Sequence, residues 1–195
     1  MAETNLTILQ GIDTVGAFRK LANASTEEAS IVPWQTGLDL DMQRDSDTTS
    51  TKDGAVPTQG ALETDFETDF INNTSAIADA MSDSIIDGDV LEGWVIYRKR
   101  LNAQGQAYAW YLRCTVSEDD NSNDSDDNST REVSFNVNGT PKRGWVTLPA
   151  SVQEAIDYVF RGLGKVTDDD ETGQGVAWKD ADAGTNVEAS AAPKQ

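Results

Sequence analysis

The sequence predicts a mainly β protein, a β-sandwich-like domain with one α-helix packed on it. Its most informative segment is the octet at residues 63–70, in which four acids alternate with threonine and phenylalanine. Because successive side chains of a strand point to opposite faces, a strand would collect all four acids on one face. Aromatic and β-branched runs over 91–101 and 106–116 add a hairpin, and helical spacing is clearest near residues 74–86.

The acidic face of the octet has two interpretations. It is either an ordinary solvated face of an antiparallel sheet or a surface that repels another polyanion. Same-face neighbours on a strand lie roughly 7 Å apart, where like charges repel through water by a few tenths of a kcal/mol per pair. A row of four acids therefore has a cost that is offset only by good solvation or by a use for the negative potential.

Length and charge bound the organisation and the partners. At 195 residues the chain is expected to form one domain with arms: an N-terminal arm over 1–12, a β-sandwich domain over 13–162, and an acidic arm or flexible tail over 163–195. The formal charge of −19 argues against direct binding of nucleic acid or an anionic membrane, because both need a basic surface. No apolar run approaches the ~20 residues of a membrane span, and no secretory signal is visible, so folding in a cytoplasm is expected.

Three strands are predicted before the octet. Residues 4–9 alternate as a short strand or an extended arm, a second short strand is predicted over 15–21, and residues 30–33 lead into the next. Leucines and a methionine then alternate with polar residues over 36–43, which predicts a strand whose polar face carries two aspartates.

Residues 44–60 separate that strand from the octet and show no apolar periodicity. The segment is rich in threonine and aspartate and contains Lys52-Asp53-Gly54 and Pro57, so it is predicted to be a long loop. Loops of this length inside compact domains are usually functional or disordered. Residues 36–70 are therefore predicted to form a long hairpin with an extended tip and one acidic face.

A helix is predicted over residues 74–86. Ile77, Met81 and Ile85 recur at helical spacing, Thr74 is the predicted cap, and Gly88 is the residue expected to end the helix. Its apolar stripe indicates packing against the core.

A second hairpin is predicted from the runs over 91–101 and 106–116, joined by a turn at 102–105. The basic run 98–100 lies near this turn. Three charges are too few for a nucleic-acid site in so acidic a chain, so the run is expected to be solvated or to pair with acidic segments of a neighbouring subunit. The side chains expected to supply much of the core are Trp94, Ile96, Tyr108, Trp110, Leu112 and Cys114.

Residues 118–130 are predicted to form a mobile acidic loop. The segment has six acids and no apolar residue, and it lacks the glycine and the bidentate glutamate that an EF-hand calcium loop requires at its sixth and twelfth positions. Strands are predicted to resume over 131–137, turn at 138–139 and return over 145–148. Ser151 and Glu154 have the spacing of a capping box and predict a helix over 152–160.

The sequence offers little for catalysis. The absence of histidine excludes Ser-His-Asp and Cys-His machinery and histidine-containing zinc sites. No phosphate-binding glycine motif is present. Cys114 is the single cysteine and lies in an apolar run, where a buried, inert thiol is expected. The sequence therefore predicts no enzyme, no cofactor and no metal site.

The stretch over 43–54, which ends in Thr51-Lys52-Asp53-Gly54, resembles the major tail (tube) proteins of long, non-contractile-tailed phages of Gram-positive bacteria. In that family a similar segment precedes a strand, and the octet, the helix and the second hairpin follow here in the expected order. The resemblance covers about residues 1–160. It implies a structural virion protein, assembled in the host cytoplasm, that forms hexameric rings in which two hairpins per subunit close an inner β-barrel.

The resemblance also implies partners and site residues. Stacked rings would form a tube that houses a tape-measure protein, meets terminator and baseplate proteins at its ends, and lets DNA pass without specific binding. A negative lumen would repel the phosphate backbone. The candidates for lining the lumen are Asp39, Asp41, Glu63, Asp65, Glu67 and Asp69. The candidates for contacts between rings are Arg44, Asp45, Thr51, Lys52, Asp53 and Gly54, with Lys52 and Asp53 as the expected ion pair.

Two alternatives remain open on the sequence. One is another phage structural protein of the same sandwich type, such as a head–tail connector or baseplate hub, which stops at one ring. The other is a calcium-dependent carbohydrate-binding module, which would expose tryptophan or tyrosine near the acidic loop.

Overall fold

A computed structural model of the chain describes residues 8–149, 160–167, 169–170 and 172–179. The chain divides into two compact units, Met1–Pro149 and Ala150–Gln195. In the second unit, an isolated bridge joins Thr167 to Asp170, and backbone hydrogen bonds join 162–164 to 172–173. The helix predicted over 152–160 lies outside the described residues except at its last position, and so do residues 4–7 of the predicted first strand.

The described part of the first unit contains eight strands and one α-helix, which confirms the mainly β prediction. Two short 3₁₀ helices, Gly11–Asp13 and Leu21–Asn23, flank the first strand. The elements are β1 Thr14–Lys20, β2 Ser30–Ile31, β3 Gln35–Thr51, β4 Gly54–Ile71, α1 Ala76–Asp87, β5 Leu91–Leu101, β6 Ala107–Ser122, β7 Thr130–Val137 and β8 Lys142–Val146.

The strands form one antiparallel sheet in the order β2-β1-β5-β6-β7-β4-β3. β8 also pairs with β6, and it does so on the edge that β7 uses further along. The ladder passes from Val137 opposite Cys114 to Lys142 opposite Tyr111. The predicted turn and return at 138–148 is therefore wrong: the chain bulges outward at 138–141 and continues in the same direction along β6.

The sheet folds over so that β1 packs against β4 and β7. The rings of Phe18, Phe66 and Phe135 form a stack with centroids 5.1 to 5.6 Å apart, and all three are buried. Gly93 on β5 lies beside this stack, and its missing side chain leaves the space that Leu112 and the phenylalanine rings occupy. The rings thereby join strands that are distant in sheet order into one core.

The second hairpin forms as predicted, with Gly105 in the left-handed region at φ 76°. Asn102 stabilises the turn, because its side-chain oxygen accepts hydrogen bonds from the backbone N–H of Gln104 and Gln106. Of the side chains expected in the core, Ile96, Leu112 and Cys114 are buried, whereas Trp94, Tyr108 and Trp110 are half-buried.

Helix α1 begins and ends with side-chain and backbone caps. Ser75, one residue after the predicted Thr74, is the N-cap, and its hydroxyl accepts from the Ala78 N–H. Gly88 ends the helix at φ 77°, as predicted. Ile77 and Met81 face the core, but the predicted Ile85 is 41 % exposed. Ser84 takes its place, because its hydroxyl binds the N–H of Val116 on β6 and the carbonyl of Asp89.

Arg131 on β7 is a buried clamp between the helix and the sheet. Its guanidinium donates to the Ala78 carbonyl, to the Ser82 hydroxyl and to both carboxylate oxygens of Asp119. It also lies over the ring of Phe70. Because a buried cation is stable only when paired, Asp119 is required for this clamp.

Two predicted loops are instead largely strand. β3 and β4 pair continuously to Thr51 and Gly54, so residues 44–60 form a two-stranded ribbon with a two-residue turn at Lys52-Asp53. β6 runs to Ser122 and pairs with β7 as far as Thr130, so the acidic loop shrinks to residues 123–129. Within the described residues no helix has the length and apolar character needed to cross a membrane.

Replacement of Gly93 by valine should destabilise the fold. A Cβ at this position would lie 2.9 Å from Leu112 Cδ1 and 3.4 Å from the rings of Phe18 and Phe66. Overpacking of this kind costs about 1–3 kcal/mol, which urea unfolding of the purified chain would measure. Gly144→Val is the matched control, because nothing lies within 4 Å of a Cβ there. Equal unfolding free energies for the two variants would contradict the packing described for Gly93.

Candidate functional site

Four strands place acidic side chains on one face of the sheet. The ladders pair Asp39 with Glu67 and Asp41 with Asp65 across β3 and β4. They pair Asp69 with Glu132 across β4 and β7, and Glu132 with Asp120 across β7 and β6. Residues paired in a ladder point to the same side of the sheet. The acids of this surface, the acidic face, are Asp39, Asp41, Glu63, Asp65, Glu67, Asp69, Glu118, Asp120 and Glu132.

All six acids that the sequence proposed for the lumen lie on this face, and three further acids join them. Glu118 and Asp120 were missed because their segment was predicted to be a loop, although these two acids are two residues apart, the spacing of one strand face. Glu132 was missed because it is a single acid in an otherwise apolar alternating run. Its position only becomes meaningful through its pairing with Asp69.

The core fixes which way the acids point. Phe66, Thr68 and Phe70 alternate with the acids of β4 and are almost fully buried. The hydroxyl of Thr68 donates to the Gly37 carbonyl at 3.2 Å and accepts from the Gln35 side chain at 2.6 Å. Gln35 in turn accepts from the Gly16 N–H of β1 at 2.8 Å. A one-residue slip of β4 would bury its carboxylates, so this register holds the acids outward.

Partial burial and mutual repulsion raise the pKa of two acids of this face. The pKa of Asp69 is raised, first by partial burial and then by the charges of Glu67 and Asp39. The pKa of Glu132 is raised mainly by the charges of Glu67 and Asp69. Within β3, β4, β7 and residues 115–122 of β6, the positions on this face carry no lysine or arginine. The face is therefore a continuous negative surface.

Glu67, Asp69 and Glu132 bring carboxylate oxygens within 4.8 Å of one another. Such a group has the oxygen ligands that a divalent cation prefers; the raised pKa values of its members follow from the partial burial of Asp69 and from the repulsion among the carboxylates. The Asp69 carboxylate lies directly against Gly37 of β3, where any Cβ would collide with it. Gly37 therefore gives Asp69 the room to lie in the ladder opposite it.

The ribbon is the second part of the candidate site. β4 pairs with β7 only from Asp65 to Ile71, so the hairpin beyond Asp65 extends away from the sheet. Its ten residues from 64 to 55 span about 33 Å at strand spacing. All of its residues from Gln43 to Gln59 are exposed, including the side chain of Val56. An isolated two-stranded ribbon is at best marginally stable in water, and no core within the described residues supports this one.

The structure places the proposed inter-ring residues at two points of the ribbon. Thr51, Lys52, Asp53 and Gly54 form its turn, where Gly54 has φ 138° and the Thr51 hydroxyl donates to the Gly54 carbonyl. Arg44 and Asp45 lie about seven residues below, at a bulge where the Arg44 guanidinium donates to the Gly60 carbonyl. The six residues therefore do not form one cluster.

Other residues singled out by the sequence have structural roles. Burial raises the pKa of the Cys114 thiol to about 12, which keeps it in the unreactive protonated form. Arg98 and Lys99 lie 3.8 and 3.3 Å from the Asp13 carboxylate of the same chain. Asp119, in the segment first considered for calcium, binds Arg131 instead.

The chain matches the family model described as phage tail tube protein over residues 8–143. No curated protein sequence matches it. Its fold is similar to the SPP1 tail tube solved by solid-state NMR and cryo-EM, with 16 % identity, a TM-score of 0.66, and coverage of 82 % of this chain and 95 % of the SPP1 chain. It is also similar to a protein of the native gene transfer agent virion, with 10 % identity, a TM-score of 0.55, and coverage of 70 % and 99 %. A tail of the empty gene transfer agent particle, refined with C6 symmetry, gives 10 % identity, a TM-score of 0.55, and coverage of 69 % and 98 %.

Replacement of Asp69 by asparagine should stabilise the subunit at neutral pH. A raised pKa means that the folded chain binds the Asp69 proton more tightly than the unfolded chain does. Stability from this group is therefore present below the ordinary carboxyl pKa and is lost as the pH rises through the raised value. Asp69→Asn should raise Tm at pH 7 and have little effect once the carboxyl is protonated in both states.

Asp126→Asn, at an exposed loop acid, is the control for a simple loss of negative charge. Thermal unfolding of both variants and the wild-type chain between pH 3.5 and pH 8 measures the difference. A Tm gain for Asp69→Asn that is unchanged at acid pH would contradict the raised pKa of Asp69, which burial and the neighbouring charges produce together.

Proposed function

Because the chain belongs to the phage tail tube protein family, we propose that it assembles into stacked hexameric rings whose acidic faces line the channel for the genome. As a family member it is a structural protein of the virion tail and not an enzyme. The observation that carries the proposal is the acidic face itself. Nine acids of one surface are held outward by the core, and the positions on that face within β3, β4, β7 and residues 115–122 bear no cation.

Two open strand edges support ring closure. Within the described residues β3 pairs only with β4, so its other edge has no strand partner. β6 continues for eight residues beyond Cys114, the last residue that pairs with β5; on that edge Ser84 of α1 binds the Val116 N–H, and among the described residues no strand pairs with the edge over 117–122. The two edges lie at opposite sides of a four-stranded sheet made of β3, β4, β7 and the end of β6. Pairing β3 of one subunit with β6 of the next would remove both edges and continue the barrel.

The number of subunits is proposed from a structural relative. The gene transfer agent tail was refined with C6 symmetry, and this chain shares its fold. Six copies of a four-stranded sheet give a wide barrel that leaves an aqueous channel, as large barrels do. The domain limits proposed for the subunit are an arm over 1–12, the tube domain over 13–162 and an acidic arm or tail over 163–195.

The channel would act through charge. A lumen lined with carboxylates repels the phosphate backbone, so DNA moves through it without the counterion release that holds DNA on basic proteins. The lumen residues in this proposal are Asp39, Asp41, Glu63, Asp65, Glu67 and Asp69, joined by Glu118, Asp120 and Glu132. We propose that the same lumen contains a tape-measure protein before ejection and that terminator and baseplate proteins cover the two ends of the tube.

The ribbon would join one ring to the next. It has no core of its own, and its charged turn at Lys52-Asp53 lies farthest from the sheet. In this proposal the turn residues Thr51, Lys52, Asp53 and Gly54 and the bulge residues Arg44 and Asp45 contact the adjacent ring. A connector or hub would need only one ring and would have no use for a projection of this length.

Shortening the ribbon should separate rings from tubes. Ser46 and Gln59 are paired in the ladder, so residues 47–58 can be replaced by Asn-Gly without a change of register. Negative-stain electron microscopy of the wild-type chain should show tubes with sixfold end views. The shortened chain should unfold at the same urea concentration, because the deleted residues are all exposed, and should stop at single rings. Tubes of normal length from the shortened chain would contradict the role of the ribbon.

Reversing the charge of the lumen should slow DNA release. Virions carrying Glu63→Lys, Asp65→Lys, Glu67→Lys and Asp69→Lys should assemble tails, since these side chains lie outside the core, and should eject DNA at least about tenfold more slowly. The control reverses Glu27, Glu28, Asp79 and Asp87, which are exposed positions outside the acidic face. Ejection can be timed by dye binding to released DNA. Equal ejection rates in wild-type and lumen-reversed virions would overturn the lumen assignment.

A further inference from the structure

Charge is segregated along β6 and the strands beside it. Residues 93–117 contain no acid, and neither do residues 133–149. Residues 118–132 contain seven acids, and their one basic side chain, Arg131, is buried. The first half of β6 thus lies in a basic region and the second half in an acidic one, within a chain whose formal charge is −19.

The basic region ends in a surface of cations and aromatic rings at the start of β6. The Arg100 guanidinium lies 3.8 Å from the Tyr108 ring centroid, and that of Arg143 lies 5.5 Å from the Trp110 centroid. Trp145 packs edge-on against Tyr108 and is 45 % exposed. Among the described residues, neither arginine has a carboxylate partner. This surface, the basic end, comprises Arg100, Arg143, Tyr108, Trp110 and Trp145, and the ladder pairs Trp110 with Arg143 and Tyr108 with Trp145 on the same face.

The acidic region ends in a closed loop after β6. This loop, the acidic tip, spans residues 123–129 and exposes Asp124, Asp126 and Asp127. The Ser129 hydroxyl donates to the Asn123 side chain at 2.7 Å and closes the loop at its base. In the described part of the chain, none of the three aspartates forms an ion pair.

The two surfaces lie at opposite ends of the same strand. β6 has 16 residues and spans about 50 Å at strand spacing, with the basic end at Ala107 and the acidic tip beyond Ser122. The ribbon leaves the sheet beyond Asp65, which pairs with Asn136 near the end of β7, so it projects toward the same end as the basic surface. In a head-to-tail stack, the basic end of one subunit therefore faces the acidic tip of the next, and not its ribbon.

We infer that the acidic tip of one subunit docks on the basic end of a subunit in the adjacent ring. The inference rests on the stacking of rings proposed above and names a second contact besides the ribbon. The aromatic rings hold the guanidinium planes of Arg100 and Arg143 in place, and a planar guanidinium in a fixed position binds carboxylates better than a freely rotating one. Like charges meet if a subunit is inverted, so this contact also sets the polarity of the tube.

A charge-swap experiment tests the contact. Variant one carries Arg100→Glu and Arg143→Glu, variant two carries Asp124→Lys and Asp127→Lys, and variant three carries all four changes. Each of the first two should raise the protein concentration needed for tubes by at least about tenfold and leave rings intact, because like charges then face each other. The third should recover tubes at a concentration closer to the wild-type value than either single-sided variant does, since the four reversed positions again pair opposite charges and only Asp126 keeps its original sign. The control is Glu28→Lys with Asp87→Lys, which lie in neither surface.

The outcomes separate this contact from the function on which it rests. Sedimentation and electron microscopy measure tubes, and urea unfolding shows whether each variant folds. If variants one and two form tubes at the wild-type protein concentration, the contact alone is overturned. A folded variant three that does not recover tubes would overturn it as well. A wild-type chain that forms neither rings nor tubes would overturn the proposed function and this contact together.

A cross-link gives an independent measurement. Arg143→Cys in one preparation and Asp126→Cys in another should form a mixed disulfide when tubes assemble from both, and Cys114 does not compete because it is buried. Mixed tubes without this disulfide under oxidising conditions would count against the contact.

Discussion

The fold depends on one constraint: β4 serves the core and the acidic face at the same time. Its alternation places Phe66, Thr68 and Phe70 inside, and this forces the carboxylates between them outward. The phenylalanines complete the stack that joins β1, β4 and β7, and the Thr68–Gln35–Gly16 hydrogen bonds fix the position of β3 against β1. The negative surface therefore keeps its orientation as long as the core is intact, because a slip of β4 that turned the carboxylates inward would also expose the phenylalanines.

Neighbouring acids have opposite roles according to the face on which they lie. Asp119 points inward and is neutralised by Arg131, which ties the helix to the sheet. Asp120 points outward and adds to the charge around Glu132. The cost of the outward charges appears as raised pKa values for Asp69 and Glu132, and the buried packing beneath them compensates for it. Electrostatic strain on this surface is thus small in comparison with the hydrophobic free energy of the strands that carry it.

The sequence predicted the elements that have one buried face and failed on those that have none. The octet, the second hairpin and the helix all have apolar residues at regular spacing. These residues are the ones that become buried, so the spacing predicts the element. The ribbon over 44–60 has both faces in solvent, so backbone hydrogen bonds alone define it and no apolar period marks it. Residues 118–122 show no apolar period for a different reason: their inward-facing side chain is Asp119, which pairs with Arg131. The continuation of β7 into β8 and the inclusion of Glu132 in the acidic face depend on pairing with distant strands, which no local pattern contains.

The contact proposed between the ribbon and the adjacent ring has a consequence for when assembly begins. A free subunit carries some twenty residues of hairpin that no core holds in place. When two free subunits associate, both ribbons lose conformational entropy as they become ordered, and this loss opposes association. In a ring that is already part of a tube, neighbouring subunits would hold the ribbons and the surfaces that they contact in place. A subunit that joins this ring would then need to order only its own ribbon. Starting a tube is consequently slower than lengthening one. Subunits can therefore remain unpolymerised at concentrations that would extend an existing tube. The complex that first stabilises a ring then nucleates the tail and controls when it forms.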